Sequence, residues 1–304
     1  MRMKFGERFG ITLFGESHSP LLGVKIEGIP PSVTICSSDF TVDLTRRRGG
    51  SFATTPRVEK DIPIIEPIKD GVLSISFLNT NIRPSDYACF KRHPRPGHAD
   101  FTAAVKFGPD YSSTGGGIFS GRMTLPLVAA GVVAKKIIAA KGVVVKSGIV
   151  EIGGIPVPGQ YQDSPLGYPP VRELLEKVVA EGDSVGAILR TEAVGVPAGL
   201  GEPFFDSLES RLAHILFSIP GIRGVEFGDG FNASKMRGSQ HNDPIISSSG
   251  ETAKNGCGGI NGGISNGNPI LFRVAAKPTS TISVPQMTFD FEKREMAPHS
   301  SLPL

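Results

Sequence analysis

The sequence predicts an α+β fold. Segments with strand character and segments with helix character follow one another without a strict strand–helix–strand alternation, which disfavours a doubly wound parallel sheet. Glycine and proline are abundant, at 38 and 25 of 304 residues, and the glycines cluster in Gly115–Gly121 and Gly256–Gly267, as tight turns or a close backbone approach to a ligand require. The remaining composition, 39% hydrophobic and 20% charged, is that of an ordinary globular protein. The length suits one large domain or two ordinary ones, and the expectation is a single domain over 1–304.

The elements are read in order. "GVKIEGIP" (Gly23–Pro30) alternates apolar and polar residues and predicts a strand. "DFTVDLTRRR" (Asp39–Arg48) opens on a capping Asp and closes on cations, as a helix does. "GVLSISFLNT" (Gly71–Thr80) is a strand, and "HADFTAAVKFG" (His98–Gly108) a short helix closed by Gly108. The longest helical pattern runs from Ser120 to Gly142, with Pro126 tolerable only near its first turn. "VVVKSGIVEIGGI" (Val143–Ile155) has strand character. The Gly- and Pro-rich stretch Gly153–Pro170 is read as a connection inside one domain. "PPVRELLEKVVAEG" (Pro169–Gly182) is an amphipathic helix, and Asp183–Pro197 a strand. Pro203–Pro220 is read as a helix bracketed by prolines, and "IRGVEFGDG" and "PILFRVAAKP" as further strands.

The net charge of +3 does not argue for nucleic acid. Local charge says more. Arg46, Arg47 and Arg48 are adjacent, and Lys91, Arg92 and Arg95 fall within "KRHPRPGHAD", a density suited to a phosphate or carboxylate. Cys36, Cys89 and Cys257 are widely spaced, which fits a reducing compartment, small buried apolar roles and no structural zinc. The N-terminus has no signal-peptide run, and no stretch approaches the roughly 20 apolar residues of a membrane span. The expected location is cytoplasmic, with no membrane partner.

Four stretches hold more chemistry than turns require: "FGESHSP", "RRRGG", "RPGHAD" with "GGGIFSGR", and "GGINGGISNG…RVAAKPTSTI". A nucleophilic serine is disfavoured because "GESHS" lacks the last glycine of a nucleophile elbow. A dinucleotide site is disfavoured because "GGGIFSGR" follows no clear strand and lacks the Gly-x-Gly-x-x-Gly spacing. Its glycines still suit an anion at a helix N-terminus. The histidines show no metal-ligand spacing. His214 is expected half-buried in its helix, and His93 and His241 at the surface.

"FGESHSP", "RRRGG…TTPRVEKD", "NIRPSDY", "RPGHADF", "GGGIFSGR", "GDSVGA", "VPAGLGEPFFD", "RGSQHND" and "GGINGGISNG…KPTSTI" occur in this order. Together they resemble the chorismate synthase family, from Phe5 to about Pro285. The resemblance implies a β-α-β sandwich with helices between antiparallel sheets. It implies 1,4-anti elimination of phosphate from 5-enolpyruvylshikimate 3-phosphate, in the shikimate pathway that leads to the aromatic amino acids. It also implies reduced FMN as cofactor, a separate flavin reductant, NADPH, and a homotetramer. His18 and His98 match the family's catalytic histidines, here assigned to the phosphate side and the flavin side. Arg47, Arg95 and Ser17 fall on the substrate side. Ser120, Gly221, Gly262, Lys277, Pro278, Thr279, Ser280 and Thr281 match flavin contacts.

The pattern is broken in places. Ser19 replaces the glycine usual after "GESH", "GGSFATTPR" lacks an arginine before Arg57, and Ile118-Phe119-Ser120 replaces Arg-Ser-Ser. After "KPTSTI" the family's Gly-Arg-His-Asp-Pro motif and closing helix have no match, and His299 has no flanking Arg or Asp. The expectation is therefore a family member shortened at its C-terminus. The alternative is a non-catalytic homologue that keeps flavin or substrate binding.

Overall fold

A computed structural model describes residues 3–55, 57–80, 90, 92–108, 111 and 114–299. The "NIRPSDY" motif, Cys89 and Lys91 lie outside the described residues. The elements in chain order begin with β1 (Lys4–Phe5), β2 (Gly10–Gly15), β3 (Leu21–Glu27), α1 (Thr41–Arg47), β4 (Ile64–Ile65) and β5 (Val72–Leu78). Next come α2 (Asp100–Phe107), α3 (Thr124–Ala139), β6 (Val144–Ile152), β7 (Ile155–Pro156), α4 (Pro169–Ala180) and β8 (Ala187–Val194). The remainder are α5 (Leu208–Phe217), β9 (Ile222–Phe227), α6 (Gly238–His241), β10 (Ile260–Asn261), β11 (Ile264–Ser265), β12 (Ile270–Ala276), β13 (Gln286–Asp290) and β14 (Glu295–His299). Every strand pairing is antiparallel among the described residues, so the α+β class holds.

The chain divides into two compact units. The first comprises Met1–Ile137, Glu176–Ser184 and Thr279–Leu304. Its five-stranded sheet has the order β1-β2-β3-β5-β4. The alternation read from sequence in β3 is realised there. Leu22, Val24 and Ile26 are fully buried while Lys25 is exposed, and they face Phe77, Ile75 and Leu73 of β5 across the ladder. Phe40, Leu44 of α1, and Leu125, Ala129, Val132 and Val133 of α3 complete this core. Burying each such large side chain contributes about 1.5–3 kcal/mol. Pro126 sits at the third residue of α3, where its missing N–H has no partner to lose. β13 and β14 form a separate hairpin that the sequence reading did not predict.

The second unit comprises Ile138–Leu175 and Val185–Pro278. Its sheet has the order β7-β6-β8-β12-β9, so β12 inserts between β8 and β9. Two small cores serve it, one around Ile152, Val157 and Val171 and one around Val196, Ile260 and Ile270. The stretch after Gly153 belongs to this unit up to Leu175.

Three expectations are corrected. The helix read over Pro203–Pro220 starts only at Leu208, because Phe204 holds a positive φ of 60° that no α-helix tolerates and Ser207 caps the new start through Ser210 N. His214 is exposed on α5 rather than half-buried. Cys36 is exposed and Cys257 intermediate, not buried apolar groups.

Candidate functional site

Nine of the thirteen expected site residues fall in the first unit: Ser17, His18, Arg47, Arg95, His98, Ser120, Thr279, Ser280 and Thr281. The other four, Gly221, Gly262, Lys277 and Pro278, fall in the second.

Ser17 and His18 lie in the turn between β2 and β3. Gly15 opens it with φ 77°, where a Cβ would stand 2.3 Å from the carbonyl oxygen of Leu21. Ser19, which stands where the resemblance leads one to expect glycine, uses its side chain within the turn. Its hydroxyl accepts from Glu16 N at 2.9 Å and donates to Leu21 O at 2.6 Å, bracing the turn. Asn79 Nδ2 donates to Ser19 O at 2.7 Å and Glu16 O at 3.2 Å. Ser17 N donates to Gly117 O at 3.3 Å, which attaches the turn to the glycine-rich run. Ser17 itself is 1% exposed.

Around this turn stands an ionic network that the sequence reading missed. Arg57 donates through Nη1 to Ser17 Oγ at 3.2 Å and through Nη2 and Nε to Glu59 Oε1 at 2.6 and 3.0 Å. The other Glu59 oxygen accepts from Thr80 N and Oγ1 at 3.0 and 2.9 Å. Arg122 donates to Asp61 Oδ1 at 2.5 Å and to Asn79 Oδ1 at 3.1 Å. Arg47, an expected site residue, donates to Asp61 Oδ2 and Thr124 Oγ1, each at 3.2 Å. Burial alone would raise the Glu59 carboxyl. The Thr80 and Arg57 hydrogen bonds and the Arg122 charge outweigh it and hold the pKa at about 2. Three arginines against two carboxylates leave a net positive surface beside Ser17, suited to an anion. The available signal was the Arg57, Glu59, Asp61 spacing at every second residue within "TTPRVEKD".

His98 and Arg95 precede α2. Asp100 joins them. Its carboxylate accepts from Arg95 Nε and Nη2, each at 2.8 Å, from Arg95 N at 3.1 Å, and stands 2.7 Å from His98 Nδ1. Arg95 is 6% exposed, and its Nη1 donates to Thr281 Oγ1 at 3.2 Å. The guanidinium thus reaches the site through Asp100 and Thr281. Burial pushes Asp100 up, but the Arg95 and His98 hydrogen bonds and charges hold it well below the usual carboxylate range. His93, expected at the surface, packs edge-on to His299 with ring centroids 4.8 Å apart. His299 is 5% exposed, also against Phe90, over whose ring Arg95 lies at 4.3 Å.

The glycine-rich run bends over His98. Gly116 has φ 83°, and a Cβ there would lie 3.4 Å from His98 Nε2 and from the Cβ of Ser120. Ser120 Oγ accepts from Arg122 N at 3.2 Å and caps the turn leading to α3. Ser280 Oγ donates to Gly97 O at 2.8 Å, tying the "KPTSTI" segment to the His98 loop. In the second unit Lys277 N donates to Gly221 O at 2.9 Å. Gly221 and Gly262 have φ of 92° and 61° with open space where a side chain would be. His241, expected at the surface, is half-buried and pairs with Asp229 at 3.1 Å. Among the described residues, no group of three His, Cys, Asp or Glu side chains could hold a metal ion. No described helix is long and apolar enough to cross a membrane.

The fold and the site define an α+β protein whose first unit carries three arginines ordered by two carboxylates beside Ser17, and a His98–Asp100–Arg95 cluster. Comparison with known proteins narrows this. The family model for chorismate synthase matches residues 9–301. A chorismate synthase of Chitinophaga pinensis is 48% identical over 301 residues, covering 96% of this chain and 86% of that protein. One from Korarchaeum cryptofilum is 41% identical over 312 residues, covering 95% and 86%. A crystal structure of chorismate synthase matches with a TM-score of 0.70 and 27% identity, over 88% of this chain and 84% of the other. The chain belongs to the chorismate synthase family.

Proposed function

We propose that this chain converts 5-enolpyruvylshikimate 3-phosphate to chorismate by 1,4-anti elimination of phosphate, as a carbon–oxygen lyase. The observation that carries the reading is the arginine network beside Ser17 and His18, within the unit that also holds His98. The substrate has a phosphate and two carboxylates. Arg47, Arg57 and Arg122 offer it fixed guanidinium groups, already oriented by Glu59 and Asp61. As the C–O bond breaks, charge grows on the leaving phosphate oxygen, and preoriented cations stabilise it without reorganising. His18 serves the leaving phosphate, by proton donation or by positioning. His98 holds the proton on the flavin side. Ser17, held by Arg57, completes the substrate side, while Arg95 acts through Asp100 on His98 rather than on the substrate directly.

Reduced FMN is the cofactor that the resemblance implies. In the first unit Gly116 leaves the approach to His98 free of a side chain, and Thr279, Ser280 and Thr281 are the residues assigned to the flavin there; in the second unit Gly221 and Gly262 have open space beside them and Lys277 is the assigned cation. Pro278 and Ser120 join them in the assignment. Reduced FMN, when bound, would lend electron density to the C–O cleavage, accept the C6 proton lost in the elimination and recover its electrons, so that the reaction has no net redox change. A separate reductant, NADPH-linked, would keep it reduced. Homotetramer assembly and a cytoplasmic location belong to the same proposal and rest on the resemblance. Assembly is further supported by Phe204, Phe205 and Phe231, exposed at 87%, 94% and 79% in the second unit. The relatives' match over nearly the whole chain favours this reading over a non-catalytic homologue.

The test is anaerobic chorismate formation by this protein with reduced FMN and the phosphorylated substrate. Turnover is expected, and it should vanish in His18→Ala and His98→Ala. Absence of turnover, or turnover untouched by both substitutions, would overturn the proposal.

A further inference from the structure

We propose that Asp100 is a positioning residue for His98, locking the imidazole in the tautomer with Nδ1–H and leaving Nε2 as the atom that exchanges a proton over Gly116. The inference rests on the reading that His98 handles a proton.

The geometry decides the tautomer. His98 Nδ1 and Asp100 Oδ1 are 2.7 Å apart. An unprotonated Nδ1 would press its lone pair against an anionic oxygen at that distance, so Nδ1 carries the hydrogen and donates it. Arg95 Nη2 lies 3.0 Å from Nδ1 and 3.3 Å from Nε2. A point so nearly equidistant from both nitrogens would overlap Cε1 if it lay in the ring plane. The guanidinium nitrogen therefore sits over the ring face and competes for neither lone pair. The same Nη2 donates to Asp100 Oδ1 at 2.8 Å, so Arg95 holds the carboxylate while the carboxylate holds the ring. Asp100 is 6% exposed and cannot swing into water. Nε2 faces Gly116, where the lack of a side chain keeps its approach open.

The experiment joins kinetics with 15N NMR of the imidazole in Asp100→Asn, Asp100→Glu and the unsubstituted protein. In the unsubstituted protein, neutral His98 should show a pyrrole-type Nδ1 and a pyridine-type Nε2. Asp100→Asn should lower kcat about 100-fold, as loss of an oriented acid–base group does, with KM within about twofold and with the two nitrogen signatures mixed or exchanged. Asp100→Glu should recover part of kcat. A neutral Nε2–H tautomer in the unsubstituted protein would overturn the proposal even if Asp100→Asn failed to fold. So would an Asp100→Asn protein with unchanged kcat. If His98→Ala keeps full turnover, the proton role of His98 falls. If His98→Ala is dead and Asp100→Asn is fully active, only the positioning role falls.

Discussion

Nη1 of Arg122 meets Oδ1 of Asp61 at 2.5 Å, with both side chains no more than 5% exposed. Asp61 also takes Arg47, so one buried carboxylate orients two guanidinium groups. Asp61→Ala should therefore cost about 3–5 kcal/mol, because two cations lose their shared partner. The Arg122→Met, Asp61→Leu pair should cost less than Asp61→Ala alone, since it leaves only one of them behind. Urea unfolding of the single and double variants checks both statements.

Glu59 sets an acid limb to stability. Its folded pKa is about 2 against an ordinary 4.5. The folded state thus binds its proton less readily than the unfolded chain does. The contribution is complete above about pH 4.5 and is lost as pH falls toward 2. Its size is on the order of 3 kcal/mol. In Glu59→Gln, stability should fall less steeply over that window, as measured by unfolding free energy against pH.

His299 acts at milder pH. Burial, then the nearby His93 and Arg95 charges, lower its pKa from 6.5, with Asp100 opposing them. The unfolded chain takes up the proton first, so stability is full above pH 6.5 and falls as pH drops through the folded value. His299→Phe keeps a ring against Phe90 and should flatten that limb. An unchanged slope of melting temperature between pH 7.5 and 5 would count against it.

Gly116→Ala combines strain with contact. The φ of 83° penalises any side chain, and the added Cβ would rest 3.4 Å from His98 Nε2. A stability loss of about 1–2 kcal/mol is expected from the backbone. A larger fall in kcat than in substrate affinity is expected, because the methyl would rest in van der Waals contact with Nε2 and cover its approach. Steady-state kinetics beside thermal melts separate the two.

Much of the fold was legible locally. The alternation in β3 and β5 and the apolar face of α4 follow from residue spacing, because burial periodicity is written within a few neighbours. The start of α5 was misread because proline brackets mark where a helix is permitted, while the φ of Phe204 and the Ser207 cap decide where it begins. The site was partly legible too. His98 and Arg95 were named from "RPGHAD", yet Asp100 in the same motif was passed over, since nothing in a sequence shows that a carboxylate is buried against its neighbours.

By itself, the sequence determined the α+β class, most elements and the family. Only the tertiary structure decided that β12 lies between β8 and β9, that Arg57 and Arg122 gather beside Ser17, and that His299 packs against His93. The physical reason is separation along the chain. Periodicity and turn chemistry act over a few residues, whereas Arg122 finds Asp61 across 61 positions and Arg95 finds Thr281 across 186. Such partners are selected by sheet register and core packing, which no short window of residues contains.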